Sequence, residues 1–288
     1  SFAGIGKNNE ATKIANRITH PYIKNSVLKD MAISLANVGE IDMAFQNANN
    51  ITELNLQIIA FTNIVNILVK NNNINKANEI VNLILDNVSG SFYKNNALIH
   101  VAVALALVGD IDRAKKIAIG ISDLDCKDDA LMRIAIVLAE TDNISNIEKA
   151  YEITGEIYSL GYQLRALVNV SIALEKVGRP GYIEEVLESA GNPFIFLGRV
   201  ETLSDIVTTL VRTGDLSYIK KAEKFTNSFD VLFIKLMLIT EIAYTFADMG
   251  RFTEATNTAQ IAYNYIDEDI GLDIKIEFLT RVALALAK

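Results

Sequence analysis

The side chains able to do chemistry are few and scattered. His20 and His100 are the only histidines, and neither has a Cys or His neighbour at the short spacings that gather zinc ligands. Both are expected to be structural. Cys126, the single cysteine, reads as lying near the end of a second helix beside Lys127, whose charge would mildly activate a thiol; a buried or idle thiol is the expectation. No serine has a nucleophile-elbow context, and Gly4-Ile5-Gly6-Lys7 lacks the spacing and the Ser/Thr of a phosphate loop. The carboxylates Glu184-Glu185 and Asp267-Glu268-Asp269 read as solvated faces. The latter, with Tyr263, Tyr265 and Asp273, forms an acidic bend where a basic partner would fit, a plain polar loop being the expected reading. The chain is therefore expected to be no enzyme, with no cofactor and no metal.

Whatever this chain does is set by the elements that hold such isolated side chains, and these repeat. Four apolar positions return at i, i+3, i+4, i+7, the signature of one buried helix face. The sets are Leu28, Met31, Ala32, Leu35, then Phe61, Ile64, Val65, Leu68, then Leu98, Val101, Ala102, Leu105. Next come Leu131, Ile134, Ala135, Leu138 and Leu167, Val170, Ser171, Leu174. Leu203, Ile206, Val207, Leu210, then Ile239, Ile242, Ala243, Phe246, and last Leu279, Val282, Ala283, Leu286 complete the series.

After each set stands a residue suited to positive φ: Gly39, Asn72, Gly109, Asp142, Gly178, Gly214 and Gly250, with Gly6 in the same slot. Steps between them are 33, 33, 37, 33, 36, 36 and 36, about 35 on average. Two residues later comes an apolar anchor, Ile41, Ile74, Ile111, Ile144, Leu216 or Phe252. The oxygen-bearing Asp42, Asn75, Asp112, Ser145, Ser217 or Thr253 follows it as the expected N-cap of a second helix. Ala44, Ala77, Ala114 and Ala255 mark close approach of the two helices. Ile147, Ile183 and Ile219, with Ala150, Val186 and Ala222, take over that role one turn along in units four to six. Pro21, Pro180 and Pro193 all fall between expected helices, where proline is tolerated.

The pattern predicts an all-α chain. Its architecture is a right-handed α-solenoid of about seven to eight antiparallel helix-turn-helix units of ~35 residues, forming a single domain over 1–288 with no linker. Phe2 to Gly6 reads as the last turn of a first helix and Glu10 to Ile18 as a second helix. Lys288 stops just short of the next stop residue, so a fragment of a longer array, or half-unit ends, is expected. The formal net charge of -8 opposes nucleic-acid and anionic-membrane binding. The longest apolar run, Ala97 to Val108, falls short of the ~20 residues a membrane span needs. No signal peptide is visible before Glu10, and one cysteine favours a reducing, cytoplasmic setting.

Val101-Ala102, Leu105, Gly109-Asp110 and Ala114 carry a resemblance to tetratricopeptide repeats, in a register that covers nearly the whole chain. The units are divergent: Trp is absent and Leu or Phe stands at the usual Tyr position. Pentatricopeptide repeats share the period but bind single-stranded RNA through a basic groove, which this acidic composition does not offer.

In the tetratricopeptide family the first helices line a concave surface. Carried over by position, the resemblance places Asn66, Lys70, Ile99, Val103, Met132 and Ile136 on it, followed by Val168, Ile172, Arg212 and Tyr244. Ile99, Val103, Met132, Ile136, Val168 and Ile172 would form an apolar ladder with polar ends. The ladder either stays open for an amphipathic helix or apolar peptide, or seals neighbouring helices. The expected function is a non-enzymatic protein or peptide interaction module, with end-to-end self-association as a variant. The alternatives are a helical-repeat RNA-binding protein and a toroid-like helical enzyme.

Overall fold

A computed structural model describes residues 14–15, 17–88, 94–141, 143–179, 181–191 and 200–266, together with 280 and 283. Among the described residues there is no strand, and the chain is all-α. It forms two compact units, Ser1–Ser159 and Leu160–Lys288.

The first unit contains α1 (Pro21–Asn37), α2 (Ile41–Asn49), α3 (Leu54–Lys70) and α4 (Ile74–Val88), then α5 (Lys94–Leu107), α6 (Ile111–Ile119), α7 (Leu124–Ala139) and α8 (Ile144–Thr154). The odd-numbered helix of each pair packs against its even-numbered partner and against the next odd-numbered helix: α1 on α3, α3 on α5, α5 on α7. This is helical-repeat packing, and the periodic apolar sets build it. The second unit contains α9 (Leu160–Lys176), α10 (Ile183–Gly191), α11 (Val200–Arg212), α12 (Leu216–Asn227), α13 (Leu232–Asp248) and α14 (Phe252–Tyr265). There α9 packs on α10 and α11, α11 on α12 and α13, and α13 on α14.

The first seven sets are buried throughout, except Leu98 and Leu167, which are half-buried. Burying one such Leu, Ile or Phe contributes about 1.5–3 kcal/mol. Of the eighth set only Ala283 is described, and it is exposed. Facing these sets, Ala44, Ala77, Ala114, Ile147, Ile183, Ile219 and Ala255 are all buried, as the close approach of paired helices requires.

Every described stop residue has positive φ: Gly39, Asn72, Gly109, Gly178, Gly214 and Gly250. Asp142 and Gly6 lie outside the described residues. The link between set and stop is a hydrogen-bond pattern. The amide after the stop donates back to the carbonyl of the closing Leu or Phe: Glu40 to Leu35, Asn73 to Leu68, Asp110 to Leu105, Arg179 to Leu174, Arg251 to Phe246. The stop's own amide donates to the carbonyl of the residue just after that closing Leu or Phe, as Gly109 does to Ala106 at 3.0 Å. These paired bonds form a Schellman motif, which needs the left-handed residue between them.

The second helices begin two residues earlier than the sequence pattern places them. The apolar anchors are their first residues rather than residues preceding the N-cap; Ile144, Leu216 and Phe252 are exposed. The capping oxygen stands before the anchor: Asp110 accepts from the Arg113 amide, Asn143 from Asn146 and Asp215 from Ser217. Asp42 and Asp112 instead sit in the first turn, where a negative charge opposes the helix dipole favourably. Pro21 is the first residue of α1 rather than a linker residue, a position that lacks an amide obligation. Pro180 and Pro193 lie outside the described residues, as does the expected first-helix turn at 2–6.

Candidate interaction surface

Within the first unit α1, α3, α5 and α7 stack side by side, so equivalent positions form rows across them. One residue after the start of each set lie Lys29, Thr62, Ile99 and Met132. Ile99 and Met132 are buried, and the Thr62 hydroxyl donates to the Ile58 carbonyl at 2.9 Å. One residue further, the row Asp30, Asn63, His100 and Arg133 is open: Asp30 and Arg133 are exposed, Asn63 and His100 half-buried. A single residue rotates about 100° round a helix, enough to turn the ladder position into the seam between neighbours and leave the next one outward. This polar row was missed by sequence reasoning, although four polar residues in one register among apolar neighbours are its visible signal. Beyond it, Asn66, Val103 and Ile136 are half-buried, and Lys70 is exposed.

Electrostatics couple two members of the row, His100 and Arg133. Arg133 Nε donates to Asp129 Oδ1 at 2.9 Å on the same helix. Burial holds the His100 imidazole below its ordinary pKa, and the Arg133 charge adds to that effect while Asp129 opposes it.

In the second unit Val168 and Ile172 are buried on α9. Arg212 on α11 is exposed and donates from Nη2 to Asp248 Oδ2 of α13 at 3.3 Å. Tyr244 is exposed. The corresponding polar row is Asn169, Asp205 and Glu241, and Arg165 of α9 bridges to Asp205 of α11 at 2.7 Å. Burial raises the Asp205 pKa; Arg165 pulls it back and Glu201 pushes it further up. Of the apolar ladder, then, Ile99, Met132, Val168 and Ile172 are packed between helices, and Val103 and Ile136 keep an open edge.

The remaining chemistry-bearing groups are placed as follows. Cys126 lies in the first turn of α7, a first helix rather than the end of a second one. Its thiol is pushed up to about 11, chiefly by burial and then by the neighbouring Asp123, the reverse of activation by Lys127. His20 is exposed at the start of α1. Glu184 forms an ion pair with Lys221. The acidic run at 267–269 and Asp273 lie outside the described residues. Among the described residues no group of three His, Cys, Asp or Glu side chains could hold a metal ion, and no helix is long and apolar enough to cross a membrane.

No sequence-family model matches the chain. No curated protein matches it either. Among solved structures it is similar to the crystal structure of Ton1535 from Thermococcus onnurineus NA1, at 15% sequence identity over 98% of this chain and 96% of that one, with a TM-score of 0.38.

Proposed function

We propose that the chain is a non-enzymatic protein–protein or peptide interaction module, built as a right-handed, tetratricopeptide-like solenoid of seven to eight units and working in a reducing, cytoplasmic setting. A partner protein or peptide lies along the first helices. The observation that carries this reading is the strip on the first unit, where the half-buried Val103 and Ile136 adjoin the open polar row Asn63, His100 and Arg133. An apolar strip with a polar border supplies both affinity and orientation. In the second unit Arg212 and Tyr244 carry the same role. The acidic balance of the chain directs it to protein rather than to nucleic acid or an anionic membrane.

Peptides selected from a random displayed library against the intact chain, then measured by calorimetry, test the reading. Ile136→Glu and Val103→Glu are expected to weaken binding by about tenfold or more, the effect of losing roughly 1.4 kcal/mol, with helicity by circular dichroism unchanged. Selected peptides indifferent to both substitutions would reject the site. Tighter binding of mixed-sequence single-stranded RNA than of any peptide would reject the function.

A further inference from the structure

The second helices carry a feature that the first-helix reading does not use. Between α2 and α4 of the first unit lies a groove of about 610 Å³, and between α10 and α12 of the second lies one of about 340 Å³. They are the same construction. On one wall Asp42, Phe45 and Gln46 are matched by Glu184, Leu187 and Glu188, each displaced by one constant step along the sequence. On the other wall Lys76, Glu79 and Ile80 are matched by Lys221, Lys224 and Phe225, again by one constant step. The second step is longer than the first by three residues, the difference between repeat steps of 33 and 36.

Both grooves share their chemistry. An apolar floor, Phe45 with Ile80 or Leu187 with Phe225, is backed by a second aromatic ring: Phe61 lies 5.4 Å from Phe45, and Phe229 lies 5.0 Å from Phe225. Above each floor a lysine reaches across to a carboxylate, Lys76 to Asp42 at 2.5 Å and Lys221 to Glu184. The lysines are the inner members, with side chains 35% and 28% exposed, and the carboxylates the outer ones, at 86% and 72%. Each carboxylate therefore keeps an open side toward solvent that a second cation can share. Glu79 adds an exposed carboxylate to the first groove and Glu188 stands beside the second. Lys224 occupies in the second groove the place of Glu79, so the first lining carries an excess of negative charge while the second is balanced, with Glu184 as its outward carboxylate.

We propose that these twin grooves are docking sites for a basic amphipathic helix of a partner protein. An apolar side chain of that helix rests on the Phe45–Ile80 or Leu187–Phe225 floor, and a neighbouring lysine or arginine meets Asp42 or Glu184. The helix-into-groove geometry follows from the two ridges that successive second helices present. Basic flanks follow from the outward carboxylates and from the net charge of -8.

The test uses the intact chain and a fluorescein-labelled helix-forming peptide of about 18 residues, with leucines at i, i+3, i+4 spacing and lysines elsewhere, in about 0.15 M salt. Two peptides are expected to bind per chain, the tighter at the first groove. Asp42→Lys removes the tighter site, Glu184→Lys the weaker, and the double variant both. Glu140→Lys/Glu152→Lys, which changes net charge equally away from the grooves, leaves binding intact. Asp42→Asn and Glu184→Gln keep the side-chain shape and weaken each site about tenfold, so the inference is decided even where a charge reversal disturbs folding. Persistent binding to the double variant overturns it, as does equal binding of a leucine–glutamate peptide or no binding at all. Loss of the peptide with Ile136→Glu alone also overturns it, by moving the contact to the first helices while leaving the proposed function standing.

Discussion

Asp128 is fully buried on the core side of α7, and a buried carboxyl group needs hydrogen-bond partners. Its two carboxylate oxygens accept from the amides of Tyr158 and Ser159 at 3.1 and 2.7 Å, tying α7 to the loop that closes the first unit. Asn25, at the equivalent position three residues before the set in α1, does the same for Thr52: its Oδ1 accepts the Thr52 amide at 3.0 Å. Asn95 in α5 receives the Ser122 hydroxyl at 3.4 Å. A polar residue at this register thus clamps each of these first helices to the loop that follows its partner helix. Asp128→Ala strands two amides and is expected to cost about 2–3 kcal/mol in urea denaturation, whereas Asp128→Asn retains part of the bond and costs less. Equal stability of Asp128→Ala and the parent would remove the clamp from the account. The three polar residues are visible in the sequence, but their partners lie 27 to 31 positions away, so no local pattern announces what they hold.

At the scale of the element, the helix stops were the most legible feature and the starts the least. A stop is local: the left-handed residue and the carbonyl it serves lie within one turn, so the Leu-to-Gly spacing in the sequence is the motif itself. Asn72 at φ 57° shows that the motif tolerates an amide side chain. Gly109→Ala is therefore expected to cost about 1–2 kcal/mol, the penalty for a Cβ in the left-handed region, and Gly109→Asn clearly less. Chemical denaturation of the two variants checks the order, and Asn no better than Ala would refute it.

The starts are less legible because Asp110-Ile111-Asp112 offers oxygens on both sides of the anchor, and the choice between them depends on where the preceding Schellman turn releases the chain. The caps chosen have a pH signature, shared by Asp123, whose side chain caps the first helix α7 by accepting from the Cys126 amide. The Cys126 amide holds the Asp123 carboxylate below its usual pKa of 3.8, and the Ser217 hydroxyl, followed by its amide, does so for Asp215. A carboxylate depressed in the folded state contributes stability that is complete above its unfolded pKa and lost as pH falls through the folded one. Acid unfolding below 3.8 should accordingly be shallower in Asp123→Asn/Asp215→Asn, which keeps the capping oxygens without the charge. An identical acid limb in the double variant would assign that limb to other carboxylates.

On the scale of the molecule, the sequence carried the stacking order but not which row of each first helix would face outward. Four buried positions per helix specify a core stripe; the flanking rows at plus one and plus two differ only in how closely neighbouring helices approach, which Met132 and Arg133 record as buried and exposed. Stacking of this kind has an energetic consequence. In the first unit each first helix touches its partner helix, and α1, α3, α5 and α7 touch one another in succession, so a defect is felt first by neighbours and is passed on through successive interfaces. Leu131 on α7 is fully buried, and Leu131→Ala is expected to remove about 3 kcal/mol locally. Native-state hydrogen exchange should then show the largest loss of protection in α7, α5 and α8, a smaller one in α3 and the least in α1. A uniform loss over α1 to α8 would mean that they share one indivisible core, and the nearest-neighbour description would fail.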